Sequence, residues 1–568
     1  MTPPDPPGHV DTAPRHEDGP PAAPGSDRPE EPGRPRGTWY RRPLTGTAVS
    51  WPVVATWVVV AATLLVRCWT RLGPGGLFGT VYDESVVYQA ATRLLAGSLP
   101  YQDYSLVHPP GSALVLLPFA LFARVAGDAA AMAAIHVFAL VIAGVNAYLL
   151  CVLLRRFGTA AVIVGGMLYA WYRPVVAVDQ TFQLEPSLNL LLLLALVVLF
   201  SGRRHGPLVA GLLLGLSCTI KVWAVVDAVV LGGYLLARRG RREAARFAAG
   251  YAIAVTVVCL PFFLVAPRSM IVHVLQAQAS RPRIAAQDLH YKLGQLNPLA
   301  GFDGLDHWEL GLAAMVVVTL LTAAALVVSL RELRSAQGAD VDASGTVDLL
   351  PVACALLVAR GLLIFVGATF YRHYAAFPAV PFCLVTGILA GRAVRRAGLR
   401  AEAAGTTSAR VFSLARMGLA TAVVLGLTAA ALGAPTPAGS SRSDDRRTLQ
   451  TWAAGKECVW GWGPALVLAD AATPDARNGC RAMVDRTGTA LYLNARHGGA
   501  EHRRTALAVI FKSGPWQRQA WREIQASDAL VLDRGYERWL RQSRFFPEFS
   551  AQFEKDGSVS GWTLWSRR

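Results

Sequence analysis

Polar residues with chemical potential gather in three short clusters of an otherwise apolar chain. The first is Val81-Tyr-Asp-Glu-Ser-Val-Val-Tyr88, continued by Leu99-Pro-Tyr-Gln-Asp-Tyr104 and His108-Pro-Pro-Gly111. Asp83 and Glu84 stand beside Tyr82, Tyr88 and Tyr104. A carboxylate in such surroundings can take a proton from a hydroxyl when an apolar wall tunes its acidity. The competing reading is that Asp83 or Glu84 caps a helix running to Leu95. The second cluster is Tyr172-Arg173-Pro174, then Asp179, Gln180, Gln183 and Glu185, with Glu185 at the start of an apolar run. A helix N-terminus favours a negative charge there, so Glu185 reads as a site carboxylate or as a dipole partner. The third joins Lys221, in Thr219-Ile-Lys221-Val-Trp223, to Arg372 and His373 in Tyr371-Arg-His-Tyr374. Cations of this kind suit a phosphate, Arg through its planar fork. For Lys221, snorkelling to a membrane interface is the alternative.

Other polar residues carry weaker signals. Gln276, Gln278, Arg281 and Arg283 add donors in one loop, and Arg281 is a candidate substrate contact. A divalent metal is the one cofactor that Asp303, Asp306, His307 and Glu309 could serve, although their spacing matches no defined ligand pattern. Trp460-Gly-Trp462 reads as core before it reads as a sugar-stacking platform. The eight cysteines include no CxxC pair. Cys458 and Cys480, in the polar C-terminal region, could pair if that region lies outside the cytoplasm.

These clusters need elements to hold them, and the composition names the elements. The 568 residues are 53% hydrophobic and only 16% charged, against about 25% in an average soluble protein. That excludes a mainly disordered chain and a single soluble domain. The formal charge of +17 would suggest nucleic acid if it formed a patch. Instead the arginines come in pairs between apolar runs, which marks cytoplasmic loops. Apolar stretches near 49–67, 129–153, 159–174, 186–201, 207–221, 223–237, 246–266, 309–330, 347–368, 372–391 and 411–433 predict eleven crossings. Treating 111–126 as an interfacial helix keeps Arg155-Arg156, Arg203-Arg204, Arg238 to Arg242, Arg331 to Arg334 and Arg392 to Arg410 all inside. The N-terminus is then cytoplasmic, and all three clusters fall at the outer face. Residues 1–45, proline-rich and charged, read as a disordered cytoplasmic tail; 46–433 form the transmembrane domain. Residues 434–568 read as a small extracytoplasmic α/β domain, with apolar runs Ala465-Leu-Val-Leu, Ala506 to Phe511 and Ala529-Leu-Val-Leu. The expected fold class is therefore mainly α: a polytopic helical bundle in a bacterial plasma membrane, with an α/β appendage.

The order and spacing of these elements resemble the GT-C superfamily of integral-membrane glycosyltransferases. The layout is most similar to the lipid A aminoarabinose transferases and the protein O-mannosyltransferases. The resemblance rests on Asp83-Glu84 after the first crossing, His108-Pro-Pro110, Glu185, Thr219-Ile-Lys221, and Tyr371-Arg-His-Tyr374 followed by Pro378 and Pro381. It covers about residues 50–400 and implies sugar transfer from a polyprenyl-phosphate carrier to an extracytoplasmic acceptor. It implies Asp83 as the acceptor-side carboxylate with Glu84 beside it, and Glu185 as a second carboxylate. Lys221, Arg372, His108 and His373 would hold the donor phosphate, while Tyr82, Tyr88, Tyr104 and Arg281 would contact substrate. His108 stands where the aminoarabinose transferases carry a lysine, which shifts phosphate binding toward Lys221 and Arg372.

The mechanism expected on this basis is a single inverting displacement, with positive charge stabilising the departing phosphate. No P-loop or nucleotide-sugar motif is present, which agrees with a lipid-linked donor. The partners are then the donor lipid, the bilayer and an envelope glycan, lipid or protein acceptor, with no nucleic acid. A lipid or solute transporter is the main rival. It would place polar residues at mid-membrane, where only Arg360 and Asp227 stand out. A scaffold working through residues 434–568 is the second.

Overall fold

The computed structural model describes residues 50–71, 76–279, 281, 288–297, 307–335, 349–403, 443–473, 480, 483–497 and 511–568. Every predicted apolar segment before 411–433 coincides with a helix; 411–433 itself lies outside the described residues. Among the described residues, five helices are long and apolar enough to cross a membrane: Trp51–Trp69, Asp128–Phe157, Arg241–Val265, Leu349–Val366 and Arg372–Leu399. The pair Thr159–Trp171 and Arg173–Asp179 passes the same length and composition requirement together and is bent by 61°, as in a broken span or a re-entrant loop. Leu184–Leu199 and Gly206–Ile220 are apolar but shorter. At 1.5 Å per residue, sixteen residues reach about 24 Å of a roughly 30 Å hydrocarbon layer. The chain is a multi-pass membrane protein, and its helical core is continuous from Ala55 to Ile388. The 111–126 stretch forms two short helices, Gly111–Leu114 and Leu117–Ala126.

Small residues let two of these helices touch through their backbones. A Cβ on Gly211 would sit 2.0 Å from the Phe247 carbonyl, and one on Gly250 2.1 Å from that of Leu208. Glycines at such crossings allow the close approach that lipid-embedded helices use. The bend after Trp171 is satisfied from inside. Arg67, wholly buried, donates to Asp179 Oδ2 at 2.9 Å and to the freed carbonyls of Ala170 and Tyr169 at 2.6 and 3.2 Å. A backbone break in lipid requires such internal partners.

Arg360 and Asp227 find each other. Nε donates to Oδ1 at 2.7 Å and Nη2 to Oδ2 at 2.6 Å, while Nη1 reaches Asn189 Oδ1 at 2.7 Å. This is a closed fork-on-fork pair within the bundle.

The C-terminal region is an α/β unit. Strands β1 (Val459–Gly461), β2 (Ala529–Leu532), β3 (Phe553–Val559) and β4 (Trp562–Arg567) form one sheet in the order β1-β2-β4-β3. β1 and β2 are parallel; β2–β4 and β3–β4 are antiparallel. Trp460, Trp516, Phe549 and Phe553 fill its core, and Cys458 is bonded to Cys480. Of the three apolar runs, Ala529–Leu532 is a strand. Ala465 to Leu468 belong to a short helix, Gly463–Leu468, where Pro464 in the first turn favours helix over strand. Most of Ala506 to Phe511 lies outside the described residues. This unit docks on one end of the bundle. Asp128 Oδ2 accepts from the Ala472 and Thr473 amides at 2.8 and 2.9 Å, and Asp470 Oδ1 from the Ala129 amide at 2.8 Å.

Candidate active site

Tyr82–Leu95 is the helix that opens the first long loop, and its N-terminal turn sorts the two adjacent carboxylates. Glu84 occupies the third helical position and turns back, so its Oε1 accepts the Val81 amide at 2.7 Å. Its Oε2 accepts from the Phe182 amide at 2.8 Å and lies 3.0 Å from His136 Nε2. Burial pushes the Glu84 carboxyl up, but His136, Arg71 and the Val81 amide outweigh it and hold it below the usual range. Both Glu84 oxygens are thus engaged in contacts within the fold. Asp83, one residue earlier, projects the other way and stays about half exposed, at 53%.

Asp83 begins a line of titratable groups drawn from separate elements. Its Oδ2 is 3.8 Å from His373 Nδ1; His373 Nε2 is 4.0 Å from Glu185 Oε1; Lys221 Nζ is 2.5 Å from the same oxygen. Glu185 is fully buried, and its second oxygen has no hydrogen-bond partner. Lys221 leaves the Gly206–Ile220 helix in an extended conformation, which swings its ammonium over the Trp223 and Tyr374 rings at 4.4 and 4.8 Å. The His108 loop reaches Lys221 because residue 111 is glycine: a Cβ there would lie 2.5 Å from Thr219 Oγ1.

Arg281 completes the cationic side. Its Nη1 donates to the Tyr374 hydroxyl at 3.3 Å, and its buried Nε has no hydrogen-bond partner. His108, Lys221, Trp223, Gln278, Arg281 and Tyr374 line a pocket of about 10 Å³. That space holds one water. A phosphate would enter only with displacement of a wall. Burial and the neighbouring Lys221, Arg281 and His373 keep the His108 imidazole far less basic than usual. His108 is therefore a neutral hydrogen-bonding group here and adds no positive charge.

The remaining predicted residues scatter. Tyr82 joins the site edge, donating to Asp485 Oδ1 at 3.1 Å and stacking on Trp462 at 5.0 Å. Tyr88 points inward and donates to Asp128 at 2.6 Å. Tyr104 donates to the Ala90 carbonyl at 2.8 Å and faces a different cavity. Arg372 is exposed, and its neighbour His373 takes the place beside Glu185. Asp303 and Asp306 lie outside the described residues, among which no cluster of His, Cys, Asp or Glu is arranged for a metal.

Asp485 was not predicted. It is buried, accepts the Gly488 amide at 2.7 Å, and lies within the electrostatic reach of Asp83 and Arg281. Burial pushes its carboxyl up to about 6. It comes from the C-terminal unit, and its place depends wholly on docking.

Residues 106–359 match the model of glycosyltransferase family 87. Among solved structures, the chain is similar to ArnT from Cupriavidus metallidurans bound to undecaprenyl phosphate. The identity is 13% and the TM-score 0.51, over 91% of this chain and 98% of that one. It is also similar to the Archaeoglobus fulgidus oligosaccharyltransferase tethered with an acceptor peptide. There the identity is 11% and the TM-score 0.49, over 85% of this chain and 69% of that one. The curated proteins compared gave no match. The likeness to ArnT is one of fold: a mostly helical chain with several apolar helices and a small C-terminal sheet. The family 87 match across the centre of the chain and the fold shared with ArnT together support a GT-C glycosyltransferase.

Proposed function

We propose that the chain transfers a sugar from a polyprenyl-phosphate donor to a hydroxyl acceptor at the extracytoplasmic membrane face, with its N-terminus inside and its C-terminal unit outside. The observation that carries this reading is the Asp83–His373–Glu185–Lys221 relay, which sets an accessible carboxylate and a buried ammonium at opposite ends of one polar line. The acceptor oxygen attacks the anomeric carbon and gives its proton to Asp83. The bond from that carbon to the phosphate oxygen breaks, and its electron pair leaves with the polyprenyl phosphate. Attack from the face opposite the phosphate inverts the anomeric centre.

Lys221 and Arg281 supply fixed positive charge to the leaving phosphate, an electrostatic contribution worth most in a low-dielectric site. Glu185 holds the ammonium in position, and His373 links the two halves. The undecaprenyl phosphate carried by the ArnT structure supports a lipid-linked donor. Arg360 and Asp227, the mid-membrane polar residues on which the transporter alternative rests, bind each other in a closed pair, which favours a structural role for them. The acceptor is an envelope glycan, lipid or protein.

The test is transfer in proteoliposomes from a panel of labelled polyprenyl-phosphate sugars. Asp83→Asn should lose ~10²–10⁴-fold in rate with unchanged folding. Transfer at the wild-type rate would remove Asp83 from the mechanism.

A further inference from the structure

A second cavity stands apart from the relay site. It is a chamber of about 790 Å³ between the 93–105 segment, His273 and two helices of the C-terminal unit. That volume falls in the range of sites that enclose an organic ligand. Its walls come from the loop and the docked unit, outside the apolar bundle.

The helix Gly514–Gln525 explains the chamber's character. Trp516, Ala520, Trp521 and Ile524 are buried in the domain core. Pro515, Arg518, Gln519, Arg522 and Glu523 form the opposite stripe at helical spacing and line the chamber. From the facing helix, Arg486–His497, come Thr489, Tyr492 and Arg496. Arg93 reaches in from the first loop, bonded to the Cys480 carbonyl. Four arginines thus meet two acids. Asp103 is occupied by the Leu99 amide at 2.6 Å. Glu523 accepts from Gln519 at 2.6 Å and Trp460 at 3.1 Å, and burial raises its carboxyl to about 7. The chamber is strongly cationic.

Two further observations point to a ligand. His273, in the chamber lining, is 2% exposed, stacks flat on Tyr492 at 3.9 Å, and its buried Nε2 has no hydrogen-bond partner. Tyr101, also in the wall, holds a left-handed φ of 71°, a costly backbone for a side-chain-bearing residue. Its hydroxyl donates to the His108 carbonyl at 2.7 Å, tying the chamber to the relay site. Val484 lines the chamber and Asp485, next in sequence, lies by Asp83.

We propose that this chamber binds an anionic saccharide segment of the acceptor, with Arg496, Arg518 and Arg522 gripping its acidic groups and Tyr492 packing against a sugar face. Arginine forks match carboxylate and phosphate oxygens, and a polar chamber with aromatic faces suits a sugar. The assignment rests on the glycosyltransferase reading for the word acceptor, while the binding itself does not.

The full chain in phosphatidylcholine nanodiscs is titrated with tetragalacturonate and with maltotetraose, for wild type and the double variant Arg518→Gln, Arg522→Gln. Both positions are exposed, so the variant keeps its apolar face. Tetragalacturonate should bind at least tenfold more tightly than maltotetraose, and the double variant should lose at least tenfold. Equal affinity for the two sugars, equal affinity of the two proteins, or binding of neither overturns the proposal. In turnover, the variant should raise the acceptor KM at least tenfold with kcat and donor hydrolysis unchanged; an unchanged KM also overturns it. Failure of the wild type to cleave any lipid-linked sugar would instead refute the proposed function and leave the titration standing.

Discussion

Lys221→Met separates the structural from the chemical role of the relay. The ammonium and the Glu185 carboxylate are 2.5 Å apart, with side chains 8% and 1% exposed. Removing the cation strands a carboxylate whose other oxygen already has no hydrogen-bond partner. His373, at 4.0 Å, is its remaining neighbour in the relay. Breaking such a buried pair costs about 3–5 kcal/mol of stability. The effect on chemistry is of similar size. A unit charge at about 4 Å from the leaving phosphate, with an effective dielectric constant near 20, is worth about 4 kcal/mol. That is roughly a 10³-fold loss in rate.

Stability and rate respond differently to a second change. Adding Glu185→Gln to Lys221→Met removes the stranded charge, so thermal stability should recover most of the way, while transfer stays about 10³-fold down. The assay is a detergent-solubilised melting curve beside the rate of transfer from a labelled polyprenyl-phosphate sugar. Recovery of transfer in the double variant would refute the argument, because it would make Lys221 a counter-ion and nothing more.

Glu84→Gln should lower stability by about 1–3 kcal/mol through its cap and buried contacts, with transfer per folded molecule retained; Asp83→Asn should do the reverse, and the two profiles are read from melting and transfer assays on matched samples. Asp485→Asn tests the raised carboxyl at about 6. The folded protein holds this proton more tightly than the unfolded chain, so the wild-type contribution is present below about pH 4 and lost as pH rises through 6. The stability gain of the variant over wild type should therefore grow between pH 4 and pH 6 to about 3 kcal/mol, and a pH-independent difference in melting curves would contradict it. Arg360→Leu should cost about 3–5 kcal/mol by stranding Asp227, whereas Arg360→Leu with Asp227→Leu should approach wild-type stability and keep transfer per folded molecule. Loss of transfer in that stable double variant would assign the pair a functional role.

By itself the sequence determined the membrane character, the helices and the polar clusters, because these depend on short-range pattern. Apolar length and arginine pairs mark the spans before any contact is known, and Asp83, Glu185, Lys221 and His373 all stood in clusters legible from residue type and spacing. The resemblance to GT-C enzymes was likewise an ordering of such clusters along the chain. Tertiary structure decided which members meet. Glu84 and Asp83 are neighbours in sequence, yet successive helical positions point about 100° apart, so one caps the helix and the other faces the site. Arg372 and His373 divide in the same way. Tyr88 and Tyr104 look equivalent to Tyr82 in sequence, but each donates to a different part of the fold. The role of Asp485 was invisible because it requires docking of the C-terminal unit, and local pattern carries no information about which surface a domain covers. The same docking encloses the arginine chamber, where a helical stripe that would otherwise face water becomes the wall of a cavity.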